Sequence, residues 1–159
     1  MRLHLDALRA EGWSIGYENS LGEERLPAAV ETAIFRIIQE ALNNVGKHAD
    51  TKRVDISLER RPISPPAPGE RTSIHLTVRD YGRGFVAESP EIRDTQGGPG
   101  ERVGTTGMRE RIAFLDGEFR VESHTGEGTL IVAEVPLLAG LAGSSAADLV
   151  GKPAGGEGR

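Results

Sequence analysis

The chain contains no cysteine, and aromatic residues make up only 4% of its 159 positions. Without cysteine it can form no disulfide, no thiolate nucleophile and no cysteine-ligated zinc site. Acidic residues outnumber basic ones, 24 to 19, so the formal net charge is −5. An acidic chain is a poor candidate for sequence-blind binding of nucleic acid, which depends on clustered lysine and arginine. A zinc enzyme is also disfavoured, because no metal-ligand spacing connects the histidines, which are His4, His48, His75 and His124.

Long apolar runs are missing as well. The most apolar stretch, Leu130–Val150, is interrupted by Glu134, Pro136 and glycines, whereas a membrane span needs about 20 mostly apolar residues. The segment Met1–Gly12 carries charges throughout and has no signal-peptide core. We therefore expect a cytoplasmic protein whose chain makes no membrane contact. Because Met1 leads almost directly into a helical pattern, we also expect the chain to be part of a longer protein.

Hydrophobic periodicity predicts an α+β two-layer sandwich, with helices on one face of a sheet. Two or three helices are predicted. The candidates are a short one closed by Gly12, a long one opened by Pro27 that ends near His48, and one from about Gly107 to Leu115. Apolar and polar residues alternate in five predicted strands, which are Trp13–Glu18, Arg53–Arg60, Thr72–Arg79, Phe119–Ser123 and Thr129–Pro136. The folded part is expected over residues 1–138, with a disordered tail of Gly, Ala, Ser and charge over 139–159.

One flank of the long helix carries a line of polar side chains. At about 100° per residue, Asn44 falls near 40° from Glu40 and Lys47 near −20°. His48 lies further toward the apolar face, and Asn43, near 300°, points away from the line. The pattern is compatible with an ordinary solvated flank containing an i,i+4 contact. It also suits a Mg²⁺–phosphate site, which takes oxygen ligands beside a cation.

Glycine is concentrated where the chain has least periodicity, with ten of the 21 glycines between Gly82 and Gly128. Asp80 ends a predicted strand and is followed by Gly82 and Gly84. A carboxylate there suits an exocyclic amine such as that of adenine, and glycines let a flat ligand approach the backbone. The alternative is a tight turn in which both glycines supply positive φ. A dinucleotide fingerprint is excluded, since Gly84 is followed neither by a third glycine at position 87 nor directly by a helix.

Two further glycine pairs are less specific. Gly104 and Gly107 precede a predicted helix start, where backbone N–H groups would favour phosphate; the alternative is an ordinary flexible start to a helix. Gly126 and Gly128 read as a hairpin turn. No P-loop is present, because Gly-Lys-Ser/Thr occurs nowhere in the chain.

The order and spacing of these motifs resemble the GHKL ATPase superfamily. More closely, they resemble the ATP-binding catalytic domain of two-component sensor histidine kinases of the nitrate-sensor type, to whose helix Phe35–Val45 is very similar. The resemblance covers about Leu26–Leu137. The matching motifs are Glu40-x3-Asn44-x2-Lys47-His48-Ala49, Asp80-x-Gly82-x-Gly84-Phe85, Gly104-x2-Gly107-Met108-x-Glu110-Arg111 and Gly126-x-Gly128-Thr129.

The resemblance implies a Bergerat-type fold with a mixed, mostly antiparallel sheet, and it implies ATP and Mg²⁺ as ligands. It assigns the metal to Asn44 and catalytic roles to Glu40 and Lys47, with an ATP lid over 87–103. The residues that it assigns to nucleotide binding are Asn44, Lys47, His48, Asp80, Gly82, Gly84, Gly104, Gly107, Met108 and Thr129. Thr129 is expected to support Asp80.

The implied reaction is transfer of the γ-phosphoryl group of ATP to a histidine on a separate dimerisation domain, and indirectly to a response regulator. Almost nothing precedes the predicted domain, so we expect the catalytic part alone. A serine kinase of the anti-sigma-factor type and a non-catalytic ATP-sensing module stay open as alternatives. The chain departs from the family at Tyr81, where aspartate is frequent, at Thr105, where leucine is frequent, and at Asp116, where glycine is frequent.

Overall fold

The computed structural model describes residues 2–22, 25–63, 72–85 and 99–137. The predicted tail over 139–159 and the predicted lid up to residue 98 lie outside the described residues. Within the described ranges, no helix is long and apolar enough to cross a membrane.

Three helices and five strands make up the described structure. In chain order they are α1 (Arg2–Ala10), β1 (Ser14–Ser20), α2 (Ala28–His48), β2 (Arg53–Pro62), β3 (Thr72–Asp80), α3 (Pro99–Ala113), β4 (Glu118–His124) and β5 (Gly128–Leu137). The sheet has the order β1-β2-β3-β5-β4. Strands β1 and β2 are parallel, and the other neighbours are antiparallel. The predicted α+β class with a mixed, mostly antiparallel sheet is confirmed.

The core lies between α2 and the central strands. Helix α2 begins directly after Pro27, whose fixed φ suits a helix start. Its apolar stripe faces the sheet, where the inward residues of β2 and β3 alternate with outward polar ones. Burying each such Val, Ile or Leu side chain contributes about 1.5–3 kcal/mol. The buried residues of these elements include Val30, Ile34, Ile37, Ile38, Ala41, Val45, Val54, Ile56, Leu58, Ile74, Leu76 and Val78.

Helix α3 starts earlier than the sequence pattern predicts. We expected a start near Gly107, but the helix begins at Pro99 and includes both Gly104 and Gly107. Each helical glycine costs about 1 kcal/mol relative to alanine. Met108 and Ile112, one turn apart, are fully buried in the core, and their packing stabilises the part of the helix that follows Gly107. Residues 99–103, which the prediction placed in the lid, are therefore helical.

Candidate functional site

Asp80 is a buried carboxylate at the end of a central strand. It is the last residue of β3 and only 5% exposed. Its Oδ1 accepts a hydrogen bond of 2.9 Å from the backbone N–H of Gly82. This short turn holds the carboxylate in place at the end of the strand, which is where the sequence predicts it. Binding of a ligand amine by Asp80 stays a prediction.

The turn after Asp80 is fixed between the end of α2 and the β4–β5 hairpin. The N–H of Arg83 donates to the carbonyl of Ala49, at 2.9 Å, and the carbonyl of Arg83 accepts from the N–H of Gly126, at 2.6 Å. A Cβ on Gly82 would overlap the backbone of Ala49. Only glycine allows this approach, which brings the turn against the end of the helix that carries the polar flank.

Gly84 and Gly128 are required for a different reason. Both have positive φ, +57° and +78°, which side chains other than glycine adopt at a cost. A Cβ on Gly84 would overlap the carbonyl of His124, and one on Gly128 would overlap the carbonyl of Asp80. The alternative interpretation of positive φ thus holds for Gly84 but not for Gly82. In this structure the glycines allow backbone segments next to Asp80 to approach one another closely.

Ser123 is a functional candidate that the sequence analysis missed. It is 2% exposed, and its Oγ accepts from the N–H of Phe85 at 3.0 Å and donates to the carbonyl of Gly128 at 3.0 Å. The Thr129 hydroxyl lies 3.1 Å from the same atom. The sequence does contain a sign of this role. Ser123 lies four residues after Phe119 on the inward face of β4, where alternation predicts an apolar residue. The predicted support of Asp80 by Thr129 stays a prediction.

A cavity of about 620 Å³ borders part of the polar flank of α2. It is lined in part by Glu40, Lys47 and Asn43, together with Arg111 of α3. Asn43 thus borders the same cavity as Glu40 and Lys47, and the expected direction of its side chain stays a prediction. Asn44 is not among the residues that line this cavity. It is half-buried, as is Glu40 one turn before it.

Asn44 and His48 share a side of α2, because they lie four residues apart. His48 is half-buried and is the last residue of the helix. The next residue, Ala49, is the one whose carbonyl accepts from Arg83 of the turn. This side of α2 therefore leads directly to the turn after Asp80.

The glycines of α3 do not lie at a helix N-terminus. Because α3 begins at Pro99, Gly107 is its ninth residue, and its carbonyl accepts a hydrogen bond of 2.9 Å from Arg111 Nη1. The expectation that Gly104 and Gly107 present free N–H groups before a helix start is wrong for this conformation. Met108 is fully buried in the core, so its side chain has a packing role, and its contact with nucleotide stays a prediction.

Tyr81, a departure from the family pattern, points to the opposite face of the sheet from the helices. Its hydroxyl donates to Asp55 Oδ2 at 2.6 Å, and the guanidinium of Arg53 lies 4.1 Å from the ring centroid. The hydrogen bond to the Asp55 carboxylate raises the pKa of Tyr81, with burial and the negative charge of Asp55 adding to the effect. The Tyr81 side chain therefore contacts Asp55 and Arg53, both of β2.

Comparisons with known proteins agree with this geometry. Residues 29–139 match the family model described as "Histidine kinase-, DNA gyrase B-, and HSP90-like ATPase". Two curated relatives are the signal transduction histidine-protein kinase/phosphatases DegS of Brevibacillus brevis and of Bacillus subtilis. The first is 32% identical over 72% of this chain, and the second is 29% identical over 72%. The chain spans about a quarter of the length of these relatives, 25% and 26%.

Two solved structures that share the fold of this chain are a histidine kinase domain and a histidine kinase. The histidine kinase domain of the Erythrobacter litoralis blue-light activated histidine kinase EL346 has a TM-score of 0.54 at 24% identity. The alignment covers 83% of this chain and 57% of that one. The Acinetobacter baumannii histidine kinase AdeS has the same TM-score, 0.54, at 14% identity, and the alignment covers 84% and 59%.

The family match covers most of the chain, from the start of α2 to the end of β5. It includes the buried carboxylate of Asp80, the glycine turn and the polar flank of α2, and the family implies ATP as the ligand. The chain belongs to the histidine kinase-, DNA gyrase B- and HSP90-like ATPase family, and the two curated relatives described above are histidine-protein kinase/phosphatases.

Proposed function

We propose that this domain binds Mg·ATP and transfers the γ-phosphoryl group to a histidine on a separate dimerisation domain of a sensor kinase. The observation that carries the proposal is the buried carboxylate of Asp80 at a glycine turn fixed against the end of α2. Similarity to histidine kinases supports a histidine as the acceptor of the phosphoryl group. A response regulator would then receive the phosphoryl group indirectly.

The base would bind beside Asp80. A carboxylate accepts hydrogen bonds and donates none when ionised, so it favours the amine of adenine over the carbonyl of guanine. Gly82 and Gly84 belong to the turn that follows Asp80, and Gly128 packs against the backbone of Asp80. Thr129 is proposed to reach the same base, since its hydroxyl lies 3.1 Å from the Ser123 hydroxyl, which also binds the end of the glycine turn at Phe85.

The polar flank of α2 fits a shared Mg²⁺–phosphate site. No group of three or more His, Asp or Glu side chains in the described ranges could hold a metal by itself. Mg²⁺ is commonly bound through one or two protein oxygens together with substrate phosphates, and the amide of Asn44 and the carboxylate of Glu40 supply such oxygens. When bound, the ion would neutralise charge on the phosphates.

Each side chain of the flank then has a distinct task. Asn44 would hold the metal through its side-chain oxygen, and Glu40, one turn earlier, would orient water or the metal shell. Lys47 would neutralise phosphate charge with its ammonium, and His48 would face the phosphates. Gly104 and Gly107 are proposed to contact the phosphates only in a conformation that differs from the helix described above. Catalysis would consist mainly of positioning and charge neutralisation.

The phosphoacceptor is proposed to come from another domain. In-line transfer needs a nucleophile about 3–3.5 Å from phosphorus and opposite the leaving oxygen. His75 lies within β3 and His124 ends β4 at the hairpin. The ring of His4 packs edge-on against Phe35 at 6.4 Å, although His4 also lines the cavity that contains Glu40 and Lys47.

Two finer assignments belong to the same proposal. The similarity of Phe35–Val45 to the corresponding helix of nitrate-sensor-type kinases supports membership of that subfamily. Dependence on ATP supports a location in the cytoplasm, where ATP is supplied, with a parent kinase that is either soluble or anchored in the membrane.

Phosphotransfer between separate chains tests the proposal. The purified domain, incubated with labelled ATP and Mg²⁺, should stay unlabelled. A dimerisation domain of its parent kinase, added as a separate chain, should gain a label that is lost in acid and stable in base. An acid-stable label would indicate a serine kinase instead. Acid-labile label on this chain would contradict the proposal, and His4→Gln would then show whether His4 carries it.

A further inference from the structure

Ser123 connects three backbone segments that meet beside Asp80. Its hydroxyl accepts from the N–H of Phe85, at the end of the glycine turn, and donates to the carbonyl of Gly128, at the start of β5. The hydroxyl of Thr129 lies 3.1 Å away. One serine side chain therefore links β4, the turn and β5.

The directions of these hydrogen bonds follow from the groups involved. The N–H of Phe85 can only donate, and the carbonyl of Gly128 can only accept. The single proton of Ser123 is thus directed to Gly128, and Thr129 must donate its own proton to Ser123. The serine oxygen then uses its donor and both acceptor positions, and a fully satisfied buried group of this kind favours one arrangement of its neighbours.

The linked segments are those that hold Asp80. Gly128 lies so close to the Asp80 backbone that a Cβ on Gly128 would overlap the Asp80 carbonyl, and the same Cβ would lie 3.1 Å from Asp80 Oδ1. The turn is attached to Asp80 at its other end, where Gly82 donates to Oδ1. Ser123 therefore secures the end of the turn at Phe85, while Asp80 secures the beginning.

We propose that Ser123 is a positioning residue for base recognition, which acts by holding the 81–85 turn and Gly128 against Asp80. The proposal rests on the proposed function, because it assumes that Asp80 recognises the base. Ser123 itself touches no nucleotide. Its loss should loosen the geometry of the carboxylate and reduce the discrimination between an amine and a carbonyl on the purine.

Selectivity between two nucleotides tests the role. The affinities of the whole chain for ATP and for inosine triphosphate, whose base has a carbonyl in place of the amine, are compared by calorimetry with Mg²⁺. Ser123→Ala should lower the ATP preference about tenfold, the equivalent of one buried hydrogen bond. If the variant merely lost folded protein, the binding of both nucleotides would weaken equally, and the ratio of the two affinities would not change.

A second buried serine provides the matched control. Ser73 on β3 is 1% exposed, and within the described ranges its hydroxyl has no hydrogen-bond partner. Ser73→Ala makes the same chemical change in the same sheet and should leave the ratio of affinities unaltered. An equal fall of the ratio in both variants would overturn the proposal.

The wild-type chain provides a measurement that does not depend on a variant that folds. Amide hydrogen exchange of Phe85 should be slowed to a similar degree as that of Gly126, since both N–H groups cross between the turn and the hairpin. Fast exchange at Phe85 alone would overturn the role of Ser123. If Asp80→Ala leaves the ATP preference intact, the proposed base site fails. If Asp80→Ala removes it and Ser123→Ala does not, only the inference about Ser123 fails.

Discussion

Gly128 lies directly against Asp80, so close that any side chain on Gly128 would overlap the Asp80 carbonyl. The two residues come from β5 and β3, which are neighbours in the sheet. The pair explains why the hairpin turn contains glycine at this position. Because Gly128 packs against Asp80, the β4–β5 hairpin is part of the candidate nucleotide site.

Gly128→Ala should therefore weaken ATP binding strongly. The substitution adds an overlap with Asp80 to the cost of a positive φ of +78°, which alone is about 1–2 kcal/mol. Urea unfolding would report the stability, and calorimetry the affinity.

Gly126→Ala is the matched control for this prediction. Gly126 has a similar φ of +86°, but a Cβ there meets nothing within 4 Å. It should lose stability of about 1–2 kcal/mol from backbone strain and keep most of its affinity for ATP. Equal loss of affinity in both variants would show that the approach of Gly128 to Asp80 does not matter for binding.

Asp80→Ala should reduce the binding free energy of ADP by about 1–3 kcal/mol through loss of a charged hydrogen bond. Asp50→Ala serves as its control, because the Asp50 side chain is exposed and lies 3.7 Å from the guanidinium of Arg83 on the surface. Calorimetry with both variants checks the assignment. Unchanged ADP affinity in Asp80→Ala would remove the carboxylate from the base site.

The two asparagines of α2 should differ in their effect on metal dependence. Asn44→Ala should weaken ATP binding in Mg²⁺ much more than in chelator, because only the inner shell of the metal changes. Asn43→Ala is the comparison, and the position of Asn43 in the cavity with Glu40 and Lys47 makes it a demanding one. A metal-dependent loss in Asn43→Ala alone would move the metal ligand to that residue.

Tyr81 should titrate above its ordinary pKa of 10.0, mainly because its hydroxyl donates to the Asp55 carboxylate. The chain has only two tyrosines, so an ultraviolet titration of wild type and Tyr81→Phe isolates this group. Asp55→Asn should bring the pKa of Tyr81 back toward its ordinary value. An unchanged pKa in that variant would contradict the role of the hydrogen bond.

The same shift determines a dependence of stability on pH. Since the pKa of Tyr81 is raised in the folded state, the stabilisation is fully present below pH 10 and is lost as the pH rises through the folded pKa. Chemical unfolding from pH 9 upward should therefore show a smaller decline in Tyr81→Phe than in wild type.

Local pattern was sufficient for the elements and for part of the site. Alternation predicted all five strands, and helical periodicity predicted α2 with its buried stripe, because each element must bury one face. The carboxylate of Asp80 was predicted at a strand end, and it is found there. These features depend on spacing along the chain, which is visible in the sequence.

Contacts between distant segments decided the remainder. The start of α3 at Pro99 takes Gly104 and Gly107 into the helix, and local pattern does not predict it because glycine disfavours a helix. The position of Asn43 in the cavity with Arg111 depends on how α2 and α3 lie together.

Ser123 shows the same limit most clearly. Its partners Phe85 and Gly128 lie 38 and five residues away, and no periodicity connects them. The sequence alone thus determined the elements, the buried stripe of α2 and the place of Asp80, because the burial of one face and the end of a strand depend on nearby residues. Only the tertiary structure decided how the turn, the hairpin and the helix end meet around Asp80, because those hydrogen bonds exist only once the strands have paired.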